Sequence, residues 1–186
     1  MSQDEQTLIE KAKQGDHDSM EALFRQHVDG AVRLAYLITK NWAAAEDAVQ
    51  EGFIQAFRSL HTFQEGKPFK PWFTKIVVNK SKRIMNRWGN VQAPLEWKDI
   101  NTHRSFSPEE HTLEKEELDA LFTAINALDD NHRVPLILKY LTGLSEKETA
   151  EVLGIPVSTV KSRLYTARQR LMKYLAEEEG SEDSDL

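Results

Sequence analysis

The chain has 186 residues, of which 40% are hydrophobic and 29% charged, with a formal net charge of −6. That length holds one large domain or two small ones, and the balance is that of a soluble globular protein with modest cores. The absence of cysteine excludes disulfides, thiolate metal sites and cysteine nucleophiles. No stretch approaches the roughly 18 apolar residues of a membrane span, so no membrane insertion is expected, and the acidic, polar start Met1-Ser-Gln-Asp-Glu-Gln is unlike a secretory signal. A cytoplasmic location is expected.

Helical periodicity dominates and no alternating strand stands out, so the expected fold class is all-α. Asp4 to Gln14 reads as a short helix ended by Gly15. Asp18 with Glu21 resembles a capping box for a long helix through Leu23, Phe24, Val28, Val32, Leu34 and Leu37. After a break at Asn41, Ala43 to Leu60 forms the next helix, with Ala45, Ala48, Val49, Phe53, Ala56 and Leu60 on its apolar face. Within it, Asp47, Gln50 and Glu51 share the opposite face through i, i+3, i+4 spacing. A catalytic carboxylate pair would need a pocket, raised pKa values and a partnering His or Lys. A protein-docking or solvated face fits better.

Gly66, Pro68 and Pro71 break the chain before a helix from about Trp72 to Trp88. Gly66 to Trp88 contains no acid and seven bases: Lys67, Lys70, Lys75, Lys80, Lys82, Arg83 and Arg87. On a helical wheel Lys75, Asn79, Lys82, Arg83 and Asn86 fall in an arc of about 100° opposite Phe73, Val77 and Ile84. Trp72 lies near the edge of this stripe, where an indole can stack on an unpaired base or serve as an interface aromatic. Phe63, Phe69 and Phe73 read as core from the pattern alone. Aromatics beside local positive charge suggest single-stranded or melted DNA.

Residues 89–111 lose periodicity, carry Pro94 and Pro108, and read as a flexible linker longer than loops inside compact domains usually run. Helical signal returns with Leu113, Leu118, Leu121, Phe122, Ile125 and Leu128, and again over Val134 to Leu141. Ser145 followed by Glu148 caps a short helix, Gly154 supplies a positive-φ turn, and a longer basic helix follows. This is a helix-turn-helix, whose second helix enters a DNA major groove.

Pro156 to Leu175 has five bases and no acid. The two islands hold half of the 24 Lys and Arg residues, which leaves twelve bases against all 30 acids elsewhere. Lys and Arg neutralise phosphate, so the islands read as two DNA contacts on a chain that otherwise repels DNA. Val160, Leu164, Ala167, Leu171 and Tyr174 form the core stripe. Ser158 and Thr159 open the helix; Lys161, Ser162, Arg163 and Thr166 are expected nearest the bases, with Tyr165, Arg168 and Arg170 nearer the backbone. Ala176 to Leu186, with six acids, reads as a disordered tail. The expected organisation is a domain over 1–88, a linker over 89–111, a helix-turn-helix domain over 112–176 and the tail over 177–186.

Four segments carry a resemblance to bacterial extracytoplasmic-function sigma factors of the sigma-70-type superfamily: Ala45-Glu-Asp-Ala-Val-Gln-Glu51, Pro71-Trp-Phe-Thr-Lys-Ile-Val-Val-Asn79, Leu128 through Leu141, and Gly154-Ile-Pro-Val-Ser-Thr-Val-Lys-Ser-Arg-Leu164. They occur in the family's order and spacing and cover all but the linker and tail. The resemblance implies an N-terminal domain that grips the clamp of core RNA polymerase (β and β′ subunits), captures the minus-ten element and extrudes a non-template base. It implies a C-terminal domain that reads the minus-35 element as duplex, and a linker threading toward the polymerase channels.

Carried over by position, Asp47, Gln50 and Glu51 contact polymerase, and Asn79 with the loop His61 to Lys70 contacts the minus-ten strand. The minus-ten set is therefore Phe63, Lys70, Trp72, Lys75, Asn79, Lys82 and Arg83. The resemblance also implies an anti-sigma factor as partner, and no cofactor or metal. One departure stands out: the family commonly has Asp then Arg four and five residues after that Asn, where this chain has Arg83 and Ile84. A stand-alone helix-turn-helix regulator is the competing reading. An enzyme is disfavoured, since the six histidines (17, 27, 61, 103, 111 and 132) lack metal-ligand spacing and no phosphate loop or nucleophile motif appears.

Overall fold

A computed structural model describes residues 3–64, 66–88 and 112–182, and every regular element among them is helical. The chain divides into two compact units, one made mainly of residues up to 92 and the other mainly of those after it. The expected linker, 89–111, lies outside the described residues.

The N-terminal unit comprises α1 (Gln3–Lys13), α2 (His17–Thr39), α3 (Trp42–Ser59), a 3₁₀ turn (Leu60–Thr62) and α4 (Phe69–Trp88). Gly15 ends the first helix at φ +89°. The cap of α2 is Asp16, not Asp18: the Asp16 carboxylate accepts from the Ser19 backbone N–H at 3.0 Å. His17 is already helical, so Asp18 falls in the first turn, where its charge favours the helix dipole. At the other end Lys40 adopts φ 55° and donates its N–H to the Tyr36 carbonyl. Asn41 then caps α3 by accepting from the Ala44 N–H at 2.9 Å.

α2 packs against α1, α3 and α4, and residues Leu34 to Thr39 are buried without a break because neighbours lie on several sides. The six apolar positions expected of α3 are all buried, Leu60 at the start of the 3₁₀ turn. α4 starts at Phe69, earlier than the prolines suggest, because Pro71 in a first turn has no N–H that the helix needs.

The C-terminal unit comprises α5 (Thr112–Ala127), α6 (Asp130–Leu136), a π turn (Ile137–Leu141), α7 (Glu146–Leu153) and α8 (Val157–Glu182). The helix expected over Val134 to Leu141 begins earlier, capped by Asp129. Pro135 lies inside it and lacks a ladder N–H, and a wider turn follows, with Thr142 N–H bonded to the Ile137 carbonyl at 3.1 Å. Ile125, Leu128, Leu136, Ala150, Val160, Leu164 and Ala167 form one core. α8 runs to Glu182, so residues 177–182 are helix where composition suggested a disordered tail. Glutamate is a strong helix former, and Lys173 pairs with Glu177 one turn on at 3.6 Å. Residues 183–186 lie outside the described residues.

Candidate nucleic-acid and partner interfaces

On α4 the two faces separate as the spacing predicts. Phe69, Phe73, Ile76, Val77 and Ile84 are buried, while Lys75, Asn79, Lys82, Arg83 and Asn86 are exposed. Lys75, Lys82 and Arg83 have no ion-pair partner among the described residues. The other cations of the helix are engaged: Lys80 Nζ donates to Glu51 Oε2 at 3.1 Å and Arg87 lies 3.6 Å from Glu51 Oε1. The departure at 83 and 84 has a structural counterpart, since Ile84 belongs to the core and Arg83 faces outward.

Glu51 therefore differs from the residues it was grouped with. Asp47 and Gln50 are exposed on α3, but Glu51 is half-buried and bound to α4. The Lys80 hydrogen bond holds its carboxyl below the usual value, helped by the charges of Lys80, Arg87 and Arg83 and opposed by partial burial. A general acid would need the opposite shift, so Glu51 is not poised as one. The same stretch carries Ile54, which is 46% exposed, and Arg58. With Glu51, Gln55, Ser59 and Lys80 these line an open groove of about 500 Å³. Ile54 was legible in principle: it is an apolar residue one position off the core stripe of α3.

At the start of α4 the aromatic rings sort differently from the expected set. Phe63 is 4% exposed, with its ring 5.8 Å from Phe69 and 5.2 Å, edge-on, from Trp72. Its side chain is core, as the apolar pattern predicts, although the resemblance places it in the minus-ten set. The reason is packing: a benzyl group between two aromatics gains more from burial than from exposure. Trp72 is half-buried, supported by Phe63 and by Phe69 at 5.4 Å, and Lys70 is exposed.

In the C-terminal unit the capping box is formed reciprocally. Ser145 N–H donates to Glu148 Oε2 at 2.8 Å, and Glu148 N–H donates to Ser145 Oγ at 3.2 Å. Gly154 takes φ +67°. Val160, Leu164 and Ala167 turn into the core, which leaves Ser158, Lys161, Ser162, Tyr165 and Arg168 exposed and Thr159, Arg163 and Thr166 half-exposed. Tyr165 is 61% exposed. Lys161, largely solvated, lies 4.0 Å from the half-buried Glu146. Arg170, expected nearer the backbone, has an intramolecular partner: its Nη1 donates to Asp129 Oδ2 at 2.8 Å, tying α8 to the cap of α6. The His132 hydrogen bond, with that from Arg170, holds the Asp129 carboxyl below its ordinary value.

An exposed Asp47–Gln50 face on α3, a basic stripe on α4 backed by aromatics and a helix-turn-helix thus share one chain. Residues 23–88 match the model of sigma-70 region 2, and residues 118–171 match that of sigma-70 region 4. The chain is an ECF sigma factor of the sigma-70 family. It is 30% identical over 178 residues to the ECF RNA polymerase sigma-E factor of Haemophilus influenzae, covering 90% of this chain and 93% of that protein. It is 34% identical over 160 residues to the ECF RNA polymerase sigma factor SigE of Mycolicibacterium smegmatis, covering 85% of this chain and 62% of the relative. Among solved structures it resembles the sigma factor RpoE of Bartonella quintana in complex with the anti-sigma factor NepR. That match has a TM-score of 0.62 and 26% identity, over 82% of this chain and 96% of that one. In this sigma factor the region 2 match contains both the Asp47 face and the α4 stripe, and the region 4 match contains the helix-turn-helix.

Proposed function

We propose that this sigma factor docks on core RNA polymerase through Asp47 and Gln50, extended by Ile54 and Arg58, and opens promoters through α4 while α8 reads the upstream element. In this reading Asn79 and Trp72 capture an unstacked minus-ten base, and Lys70, Lys75, Lys82 and Arg83 hold the strand's phosphates. Ser158, Thr159, Lys161, Ser162, Arg163 and Thr166 meet the minus-35 duplex, with Tyr165 and Arg168 at its backbone. Glu51 acts as an internal tie that presents the stripe. The protein works in the cytoplasm and initiates transcription without catalysing chemistry of its own. An anti-sigma factor is the partner that holds the protein inactive; the Bartonella relative is bound to one.

The observation that carries the reading is the selective neutralisation on α4. Glu51 engages Lys80 and Arg87, whereas Lys75, Lys82 and Arg83, which flank Asn79, form no ion pair among the described residues, Arg83 acting on Glu51 only at longer range. Such a stripe suits phosphate. The isolated protein should bind promoter DNA weakly, because two small basic patches oppose a large acidic excess. Docking on polymerase makes the second contact a tethered one. Run-off transcription with purified core polymerase on genomic fragments tests this. Defined transcripts that require the protein are expected. Tight, site-selective duplex binding unchanged by core enzyme would instead mark a stand-alone regulator.

A further inference from the structure

The geometry points to Lys13 of α1 as a positioning residue for the loop and tryptophan that meet the minus-ten strand. Lys13 stands in the last turn of α1, fixed by the Gly15 turn that leads into α2. Its Nζ donates to the Phe63 carbonyl at 2.9 Å across 50 residues of sequence, and lies 6.0 Å from the centroid of the Phe63 ring. Phe63 is where the 3₁₀ turn gives way to the loop before α4. α1 packs against that same turn.

One ammonium therefore holds both backbone and ring of the residue against which Trp72 rests edge-on at 5.2 Å. At the far side the loop is anchored by Phe69, which is buried. A charge-assisted hydrogen bond is stronger than a neutral one and fixes the carbonyl's direction. Without it Phe63 keeps its burial but loses its fixed approach, and the aim of Trp72 loosens. This inference rests on the minus-ten role proposed for α4. It assigns Lys13 to positioning, since the side chain acts on the loop backbone and the ring behind Trp72.

The test uses full-length protein with core polymerase on a promoter fragment selected by the run-off assay, carrying 2-aminopurine in the non-template minus-ten strand. Lys13→Met keeps the aliphatic stem and removes the donor; Lys13→Arg keeps a donor. For Lys13→Met, core affinity and closed-complex affinity should stay within twofold of the parent, while the rate of 2-aminopurine unstacking falls at least fivefold. Lys13→Arg should recover half or more of that loss. In the free protein the emission of Trp72, taken as the difference from Trp72→Phe, should shift to the red in Lys13→Met. Unstacking at the parent rate overturns the assignment. So does an equal loss at core binding, closed complex and opening, or a failure of Lys13→Arg to recover, since either marks mere structural support. If the parent protein opens no fragment with core enzyme, the functional reading fails and the inference falls with it; the Trp72 emission then separates a displaced indole from an unaltered one.

Discussion

α4 and α8 are the two basic helices of this sigma factor, and they differ in what lies beneath them. Under the start of α4 are the rings of Phe63, Phe69 and Phe73, with Trp72 at the edge. Under α8 are Val160, Leu164 and Ala167, packed on Ile125, Leu128 and Leu136. Aromatic backing suits a surface that must receive an unstacked base, whereas aliphatic backing makes a rigid rod for a groove. Each helix also pairs cations within its own unit: α4 pairs Lys80 and Arg87 with Glu51, and α8 pairs Arg170 with Asp129 and, more loosely, Lys161 with Glu146. Charge counted along a segment therefore overstates what DNA can use.

The sharpest way to break this comparison is to damage each helix once. Arg163→Glu should weaken the closed complex with core enzyme by roughly 5- to 150-fold, the equivalent of about 1–3 kcal/mol for a reading-helix arginine. Asn79→Ala should leave that complex intact and slow opening roughly tenfold, as the loss of one buried polar contact worth about 1 kcal/mol or slightly more. Low-temperature footprinting reports the first step and permanganate reactivity the second. Equal losses at both steps in both variants would erase the division of labour.

A smaller effect separates Asp47 from Glu51. Asp47→Lys should lower affinity for core polymerase several-fold, measured by fluorescence anisotropy, with Tm unchanged. Glu51→Lys should lower Tm as well, by roughly 2–6 °C, because a partly exposed ion-pair network worth up to about 1 kcal/mol is replaced by clustered cations. Equal Tm values for the two variants would show that Glu51 is no more than another surface acid.

The smallest effect is on acidification, and it should differ between the two units. Burial holds the half-buried His27 imidazole, bonded to Glu5 at 3.0 Å, below its ordinary value, with Glu5 acting in the opposite direction. A depressed folded value means that the stability His27 contributes is present above about pH 6.5, its unfolded value, and declines as pH falls from there. Glu51 and Asp129 are also held low. Their contributions are present above about pH 4 and are lost only as pH falls through their lower folded values. Peptide-resolved hydrogen exchange from pH 7.5 to 5 should therefore show the N-terminal unit loosening first. His27→Gln should flatten that dependence; parallel loosening of both units would contradict it.

Much of the fold was legible because it follows from local spacing. The apolar stripes of α3 and α8, the Ser145–Glu148 box and the outward face of α4 all depend on residues within a turn or two of each other. The misses were of a different kind. Capping by Asp16 in place of Asp18 is a two-residue ambiguity between equally good acceptors. The wide turn after Pro135 depends on how a chain without one N–H repacks. Phe63 falls in the expected minus-ten set by resemblance and in the core by packing, and only the packing shows how its ring supports Trp72. Lys13 offered no signal at all, because its partner is a backbone carbonyl 50 residues away.

Sequence alone determined that the protein is all-helical, that its positive charge lies in two acid-free islands, and which face of each island's helix is apolar. It could do so because helix periodicity and local charge are properties of neighbours in the chain. Tertiary structure decided which of those cations stay available, which aromatics are buried and which lysine holds the loop before α4. Those outcomes are set by distances between helices remote in sequence, where one carboxylate such as Glu51 or one ammonium such as Lys13 reaches across and changes what the surface offers.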